Sequence, residues 1–265
     1  MKTLLISDIH IDINRNYPVV DTLCQFAKDN YIEGMIIAGD ISENVNLTIN
    51  TIKKIKKELE IQVYYVPGNH DMWKLEDLST DEIYAMYCKD ENCLCGKEVM
   101  MGEHILIGDI GWYDYSFGNP KYSKEDFDCM EMDGRIWQDR IRNEWTKDNQ
   151  AKCAWFTRRL EEKLLKHKND KVILVTHMIS HRNFCVPETK NNWSYFNAFL
   201  GTDDYRKLCE KYHVQKCLCG HVHYRYSFQE NDTYYMCCCL NYEKEWQSEK
   251  DCYIQIENAS QIIEL

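Results

Sequence analysis

Five short polar clusters in this 265-residue chain carry residue types that bind metal ions. They are Asp8-Ile9-His10, Gly39-Asp40, Gly68-Asn69-His70-Asp71, His177 in Val175-Thr176-His177, and Gly220-His221-Val222-His223. Together they offer carboxylates, imidazoles and one carboxamide, with no thiolate. Such oxygen and nitrogen donors suit Mn, Fe, Zn or similar ions rather than Cu(I) or an iron–sulfur cluster. Singly, Asp8-x-His10 and Gly39-Asp40 say little, since histidines often cap turns and Gly-Asp is a common pair. Gly68-Asn69-His70-Asp71 and Gly220-His221-x-His223 are far more specific. Five of the nine histidines fall in these clusters, a placement that chance does not readily give.

Each cluster follows an apolar run that reads as a strand. Lys2 to Ser7, Gly34 to Ala38 and Ile61 to Val66 are strand-like, and helix patterns at Val19 to Lys28 and Val45 to Leu59 separate them. That alternation predicts a mostly parallel sheet with helices packed on it. Ligands bind beyond the carboxyl ends of strands in such sheets, so five strand ends can converge on one crevice. Further along, Glu98 to Met101 and His104 to Asp109 read as a hairpin around Gly102. Trp145 to His167 is a long helix pattern, Lys171 to Thr176 a buried strand, and Trp193 to Tyr212 mainly helical. Val214 to Cys219, Tyr224 to Gln229, Thr233 to Leu240 and Asp251 to Glu257 read as strands, several in antiparallel succession. A parallel half followed by an antiparallel-rich half predicts two sheets packed face to face under outer helices, in one domain over 1–265. Residues 112–142, rich in Tyr, Trp, Asp, Glu and Met, are too long for a plain connection. They form either a cap-like insertion over a site or a surface excursion.

In this order and spacing the five clusters resemble the full signature of the calcineurin-like metallophosphoesterase superfamily, across residues 8–223. The resemblance implies a four-layer αββα sandwich of two packed mixed sheets flanked by helices. It also implies a dinuclear centre of two divalent transition-metal ions, Mn or Fe foremost and Zn as an alternative. Carried onto matching positions, Asp8, His10 and His223 would hold one ion, and Asn69, His177 and His221 the other. Asp40 would bridge them, at the separation of about 3.5–4 Å that two-metal phosphoryl transfer uses. Neutral Asn69 and the neutral imidazoles would leave net positive charge to hold a hydroxide and a phosphate ester. The expected reaction is attack of that hydroxide on phosphorus, with His70 as the general acid that protonates the leaving oxygen. Asp71 is expected to orient His70, the bland alternative being a turn-stabilising carboxylate.

Two further residues are expected to touch substrate. Arg182 could bind a phosphate oxygen from the pocket rim, its alternative being an exposed loop charge. Tyr113 could stack on a leaving group, its alternative being a core anchor.

Gly39-Asp40 continues as Ile41-Ser42-Glu43-Asn44, unlike the Gly-Asp-x-Val-Asp-Arg-Gly of the superfamily's Ser/Thr protein phosphatases. Gly220-His221-x-His223 instead resembles the branch holding phosphodiesterases and small bacterial phosphoesterases. A small phosphorylated substrate is therefore expected, a phosphodiester ahead of a phosphomonoester. A non-catalytic scaffold would predict decay of the ligand positions, and each is filled by the expected type.

Composition narrows the partners. Acidic residues outnumber basic ones 43 to 32, for a net charge of −11, which disfavours long duplex nucleic acid and anionic membranes. No apolar run approaches the roughly 20 residues of a membrane helix. Fourteen cysteines without a Cys-x-x-Cys pair and without an export-signal pattern read as buried free thiols in a reducing cytoplasm.

Overall fold

The computed structural model describes residues 1–145, 148–246 and 250–265. The first half alternates as the sequence predicts: β1 (Lys2–Ile6), α1 (Val19–Asp29), β2 (Gly34–Ala38), α2 (Val45–Leu59) and β3 (Gln62–Val66). Its three strands are parallel, with Thr3 opposite Gly34 and Gly34 opposite Gln62. Asn44 caps α2, its Oδ1 accepting from the backbone N–H groups of Asn46 and Leu47 at 3.0 Å each. A helix absent from the sequence reading follows, α3 (Thr80–Lys89), opened by a Ser79/Glu82 capping box.

Next come β4 (Glu98–Met101) and β5 (His104–Asp109), the expected antiparallel pair. The excursion after β5 contains α4 (Lys124–Asp128), a small hairpin of β6 (Glu131–Met132) and β7 (Arg135–Ile136), and α5 (Asp139–Arg142). Beyond it lie α6 (Asn149–Lys166), β8 (Lys171–Thr176), α7 (Trp193–Phe196), α8 (Asp204–Lys211), β9 (Lys216–Cys219), β10 (Arg225–Glu230), β11 (Thr233–Cys238), α9 (Cys252–Ala259) and β12 (Gln261–Glu264). The main strands form two sheets, ordered β12-β1-β2-β3 and β10-β11-β9-β8-β5-β4.

The period-two alternation of strand side chains builds four layers. Leu5, Ile36, Val66, Leu106, Ile173, Val175, Leu218 and Met236 point inward from both sheets and form one buried core. Their neighbours Leu4, Ile6, Met35, Ile37, Leu174, Cys217 and Cys219 face outward and join Leu23, Phe26, Ile52, Phe156 and Leu160 of the covering helices. This is the expected αββα sandwich. The sheets meet where β1 ends, since Ser7 N–H donates to Cys238 O and Leu240 N–H to Ser7 O, both at 2.9 Å.

Four expectations change. The second sheet is mostly parallel: β5, β8, β9 and β11 run together, and antiparallel strands lie only at the β4 and β10 edges. The chain between β5 and β8 carries α6, and that between β8 and β9 carries α8, crossovers long enough for parallel pairing. Asp251 to Glu257 is not a strand. It starts α9, because Cys252, Gln255, Ile256 and Ala259 are the buried positions, a helical spacing that apparent alternation concealed. The strand comes afterwards, β12, antiparallel to β1. The helix expected over Trp193 to Tyr212 breaks between α7 and α8, where Gly201 lies so close to Ile179 that an added Cβ would meet Ile179 O at 2.0 Å. The long helix begins at Asn149, with Asp148 as its cap, and residues 146 and 147 of that expected span lie outside the described residues.

No described helix is long and apolar enough to cross a membrane. All fourteen cysteines are free thiols, eleven of them buried. Denaturation without reductant is expected to release close to fourteen titratable thiols. A count several short of that, with disulfides mapped by mass spectrometry, would contradict this packing.

Candidate metal centre

The five clusters meet at one end of the two sheets, held by a lattice of backbone bonds. Asp8 N–H donates to Gly39 O at 2.9 Å, His10 N–H to Asp40 O at 3.0 Å, and Gly220 N–H to His177 O at 3.0 Å. Side chains tie in as well: His70 N–H donates to Asp40 Oδ1 at 3.0 Å, and His221 N–H to both Asp8 oxygens at 3.1 Å. The turns needed are sharp. Asp8, His10, Asp40, His221 and His223 all have positive φ, between 41° and 71°. Side-chain-bearing residues rarely adopt that region, and such outliers concentrate at functional sites. Two glycines make room: a Cβ on Gly68 would stand 2.1 Å from Asp40 Oδ1, and one on Gly220 2.4 Å from Asp8 Oδ2.

The side chains then converge. Asp8, His10 and His223 form one group, Asp40, His177 and His221 a second, and His10, Asp40 and His70 a third. Within each group the candidate donor atoms lie within 4.8 Å of one another. His10 Nε2 is 3.9 Å from Asp8 Oδ1 and 3.7 Å from Asp40 Oδ2, and His177 Nε2 is 3.4 Å from Asp40 Oδ1. Asn69 Oδ1 lies 3.1 Å from His177 Nε2, and His223 Nε2 is 3.6 Å from Asp8 Oδ1. All seven residues expected to hold metal are brought together here, with Asp40 common to two groups.

Whether these residues fit cations is a question of lone pairs. His177 Nδ1–H donates to Ala38 O at 2.9 Å and His221 Nε2–H to Phe199 O at 3.1 Å. His223 Nδ1 meets Glu245 Oε2 at 2.6 Å. Each imidazole thus has one nitrogen fixed by an outer acceptor and the other turned toward the cluster, the arrangement that orients metal-ligating histidines. His10 is wholly buried, and neither ring nitrogen has a hydrogen-bond partner. Burial pushes its pKa well below the ordinary value, and burial together with His177 pushes His221 to about 3, so both present neutral imidazoles. Asp40 is pulled the other way: burial would raise its pKa, but His177, His70 and His10 hold it well below the usual range. Asp40 thus offers ionised oxygens, and neutral His10 and His221 offer ring lone pairs. His177, its pKa raised to about 10 by Asp40 against burial, carries a proton that a cation would displace. The residues fit a metal pair.

Around this cluster the structure departs from expectation. Asp71 does not orient His70. Its carboxylate accepts from Gly68 N–H, Ile41 N–H, Ser42 N–H and the Thr48 hydroxyl at 2.7–3.1 Å, the turn-stabilising alternative. Glu43 takes the place beside His70, its Oε1 3.4 Å from Nδ1, with Arg142 behind it at 3.6 Å. Burial works against a charged His70, yet Asp40, Glu43 and Asp139 outweigh it and hold the pKa above its ordinary value. The His70 ring packs on Trp73 at 3.7 Å between centres, and its Nε2 is 3.3 Å from the Tyr242 hydroxyl. Tyr113 is fully buried against Trp112, out of reach of any leaving group, so it is a core anchor. Arg182 points its guanidinium at Ser116 O and Phe117 O, where it ties a loop rather than lining the site pocket.

Asp139 is the contribution of the 112–142 excursion that the sequence did not reveal. It is buried and accepts from Asn69 Nδ2 at 3.0 Å, Trp73 Nε1 at 2.9 Å, Trp137 Nε1 at 2.9 Å and the Tyr113 hydroxyl at 3.4 Å. Its hold on the Asn69 amide nitrogen turns Asn69 Oδ1 toward His177 and the cluster. No local motif marks this residue, because its partners come from three separate segments. The pocket over the cluster measures about 400 Å³ and is walled by Trp73, Trp137, Arg135, Trp193 and Tyr242.

A four-layer sandwich whose strand ends gather Asp, Asn and His side chains defines a metallophosphoesterase. The chain belongs to the calcineurin-like phosphoesterase family, whose profile matches residues 1–225, and it is accordingly a phosphoester hydrolase. The family works with a dinuclear metal centre, for which this chain carries fitting groups of side chains. Among solved structures, the chain is similar to a phosphopantetheinyl hydrolase from Mycobacterium tuberculosis, at 17% identity and a TM-score of 0.79, covering 99% of this chain and 95% of that one. It is also similar to a Thermus thermophilus protein, at 10% identity and a TM-score of 0.54, covering 98% and 97%. A dimetal phosphatase from Danio rerio matches at 14% identity and a TM-score of 0.50, covering 89% and 86%. At these identities the likeness is one of fold. No curated protein matches the chain in sequence.

Two outcomes follow from the geometry. Chelation is expected to lower Tm and re-addition of Mn²⁺ to raise it, because ions that bind only the folded state stabilise it by mass action. Asp139→Asn should weaken metal affinity about 10–100-fold, the usual effect of losing a group that orients a ligand. Calorimetry on metal-free protein reads this directly. Unchanged affinity would mean that Asn69 is held without Asp139.

Proposed function

We propose that this chain is a metal-dependent phosphodiesterase acting on a small phosphorylated molecule, in which Asp8, His10 and His223 hold one ion and Asn69, His177 and His221 the other. Asp40 lies between them. The observation that carries the reading is the buried convergence of the ionised Asp40 with the neutral imidazoles of His10 and His221, above all the two unpartnered nitrogens of His10. Mn or Fe is favoured by the oxygen and nitrogen donor set, with Zn as the alternative. When bound, two such ions supply positive charge to a phosphoryl group and make water more acidic.

The chain's own residues supply the rest. His70 faces the 400 Å³ pocket with a pKa held above its ordinary value, which favours the protonated form, and it serves as the acid for the leaving oxygen. Glu43, backed by Arg142, keeps that proton on His70 and fixes the ring against Trp73. Residues 112–142 form one wall of the site within a single domain, through Trp137, Arg135 and Asp139. Preference for a diester is supported by the cavities. His223 and Glu245 line both the 400 Å³ pocket and a neighbouring groove of about 730 Å³ that reaches Lys190 and α9. An ester held at His223 has room for an arm on either side. The free thiols suit a reducing compartment, and we read the protein as cytoplasmic.

With Mn²⁺ bound, bis-p-nitrophenyl phosphate should show a higher kcat/KM than p-nitrophenyl phosphate. The reverse order would make the chain a monoesterase. His70→Ala should cost about 10²–10⁴-fold in turnover of a diester with an alkyl leaving group, and much less with an aryl one. Equal losses on both, with metal content unchanged, would remove His70 from the acid role and leave it as a phosphate contact.

A further inference from the structure

Arg135 stands in the wall of the site, but its charge has no role in the reading above. Its guanidinium carbon lies 4.5 Å over the Phe196 ring and 5.1 Å over the Trp193 ring. The β6–β7 hairpin fixes its backbone opposite Met132. The side chain is exposed, and among the described residues its guanidinium has neither a carboxylate partner nor a hydrogen-bond acceptor. Arg140, five residues on, pairs with Glu131 at 2.8 Å, and Arg142 lies 3.6 Å from Glu43. In a chain with 43 acidic and 32 basic residues, an unpaired guanidinium held against two aromatic rings marks a place for a negative group. It lines the pocket that holds Asp40, Asn69, His70, His221 and His223. The hairpin reaches the cluster through Trp137, whose ring lies 5.7 Å from that of His221, while Arg135 is held over Phe196 and Trp193. Burial alone acts on its own charge, with no carboxylate to counter it.

We propose that Arg135 is a second anion subsite, which grips a phosphate or carboxylate on the uncleaved part of the substrate, so that the preferred substrate carries two anionic groups. This rests on the phosphoesterase reading of the metal centre. Stacking on Trp193 and Phe196 leaves the edges of the guanidinium free for a bidentate contact and fixes its plane before the ligand arrives. The scissile group sits at the metal cluster, and the second anion sits at the hairpin wall.

Calorimetry on the Mn²⁺-loaded full chain tests this with two ligand series of matched length. One is the alkylphosphonates from propyl to hexyl, and the other the corresponding α,ω-alkane bisphosphonates. At one or more lengths the bisphosphonate should bind about tenfold or more tightly than its monophosphonate, the scale of one charge-assisted contact. In Arg135→Gln the ratio should collapse to about the twofold expected from having two equivalent ends, whereas Arg135→Lys, which keeps the charge, should retain a clear preference. No gain at any length, or a gain that persists in Arg135→Gln, overturns the proposal alone. If Arg135 instead contacts the scissile group, the substitution weakens both series alike and leaves the ratio unchanged, which also overturns it. Wild-type protein that binds neither series, and leaves bis-p-nitrophenyl phosphate intact, overturns the metal-centre reading and the proposal with it.

Discussion

Asp40 is almost wholly buried, ionised, and within 4 Å of three imidazoles, His10, His70 and His177. Its carboxylate accepts a backbone hydrogen bond from His70 and sits where a Cβ on Gly68 would collide with it. A charge taken out of water in this way is costly unless positive charge meets it. His177 can answer as an imidazolium, its pKa raised to about 10 by Asp40 against the effect of burial. His10 and His221 cannot, because burial keeps them neutral. Without ions, His177 and His70 answer Asp40 as imidazoliums, while His10 and His221 keep free lone pairs. Cations bound here would take the place of the proton on His177, and most features of this end of the fold follow from the need to hold Asp40 among these rings.

The two sheets meet at this constraint. Parallel strands β1, β2 and β3 bring Asp8, Asp40 and Asn69 to one edge, and β8 and β9 bring His177, His221 and His223 to the same edge from the other sheet. Neither sheet alone holds a complete set. The inter-sheet core of Leu5, Ile36, Val175 and Leu218 thus sets the spacing of the chemistry as well as supporting the fold. Left-handed backbone at Asp8, His10, Asp40, His221 and His223 follows from the same demand, since the chain must turn sharply to aim each side chain inward. The 112–142 excursion is bound to this arrangement through Asp139, whose four donors include the amide of Asn69.

The convergence of the seven proposed ligands was legible in the sequence because each stands directly after its strand, so a local pattern carries the long-range information. Asp139, Glu43, Tyr242 and Arg135 were not legible, because only tertiary packing brings them to the site. Asp71 illustrates the error that adjacency invites: it follows His70 in sequence, but its carboxylate is claimed by the N–H groups of Ile41, Ser42 and Gly68. Tyr113 failed similarly, since an aromatic after a strand end serves a core as readily as a pocket. In the fold, apolar runs in the parallel strands read correctly. Asp251 to Glu257 did not, because its alternating apolar residues also satisfy a helix that buries Cys252, Gln255 and Ile256.

The central claim is that Asp40 lies between two cations. Anomalous diffraction from crystals grown with Mn²⁺ locates such ions without reference to activity. The account predicts two peaks per chain, one on either side of the Asp40 carboxylate and about 3.5–4 Å apart. One should lie against Asp8, His10 and His223, and the other against Asn69, His177 and His221. A single peak, or peaks that leave Asp40 uncoordinated, would contradict it.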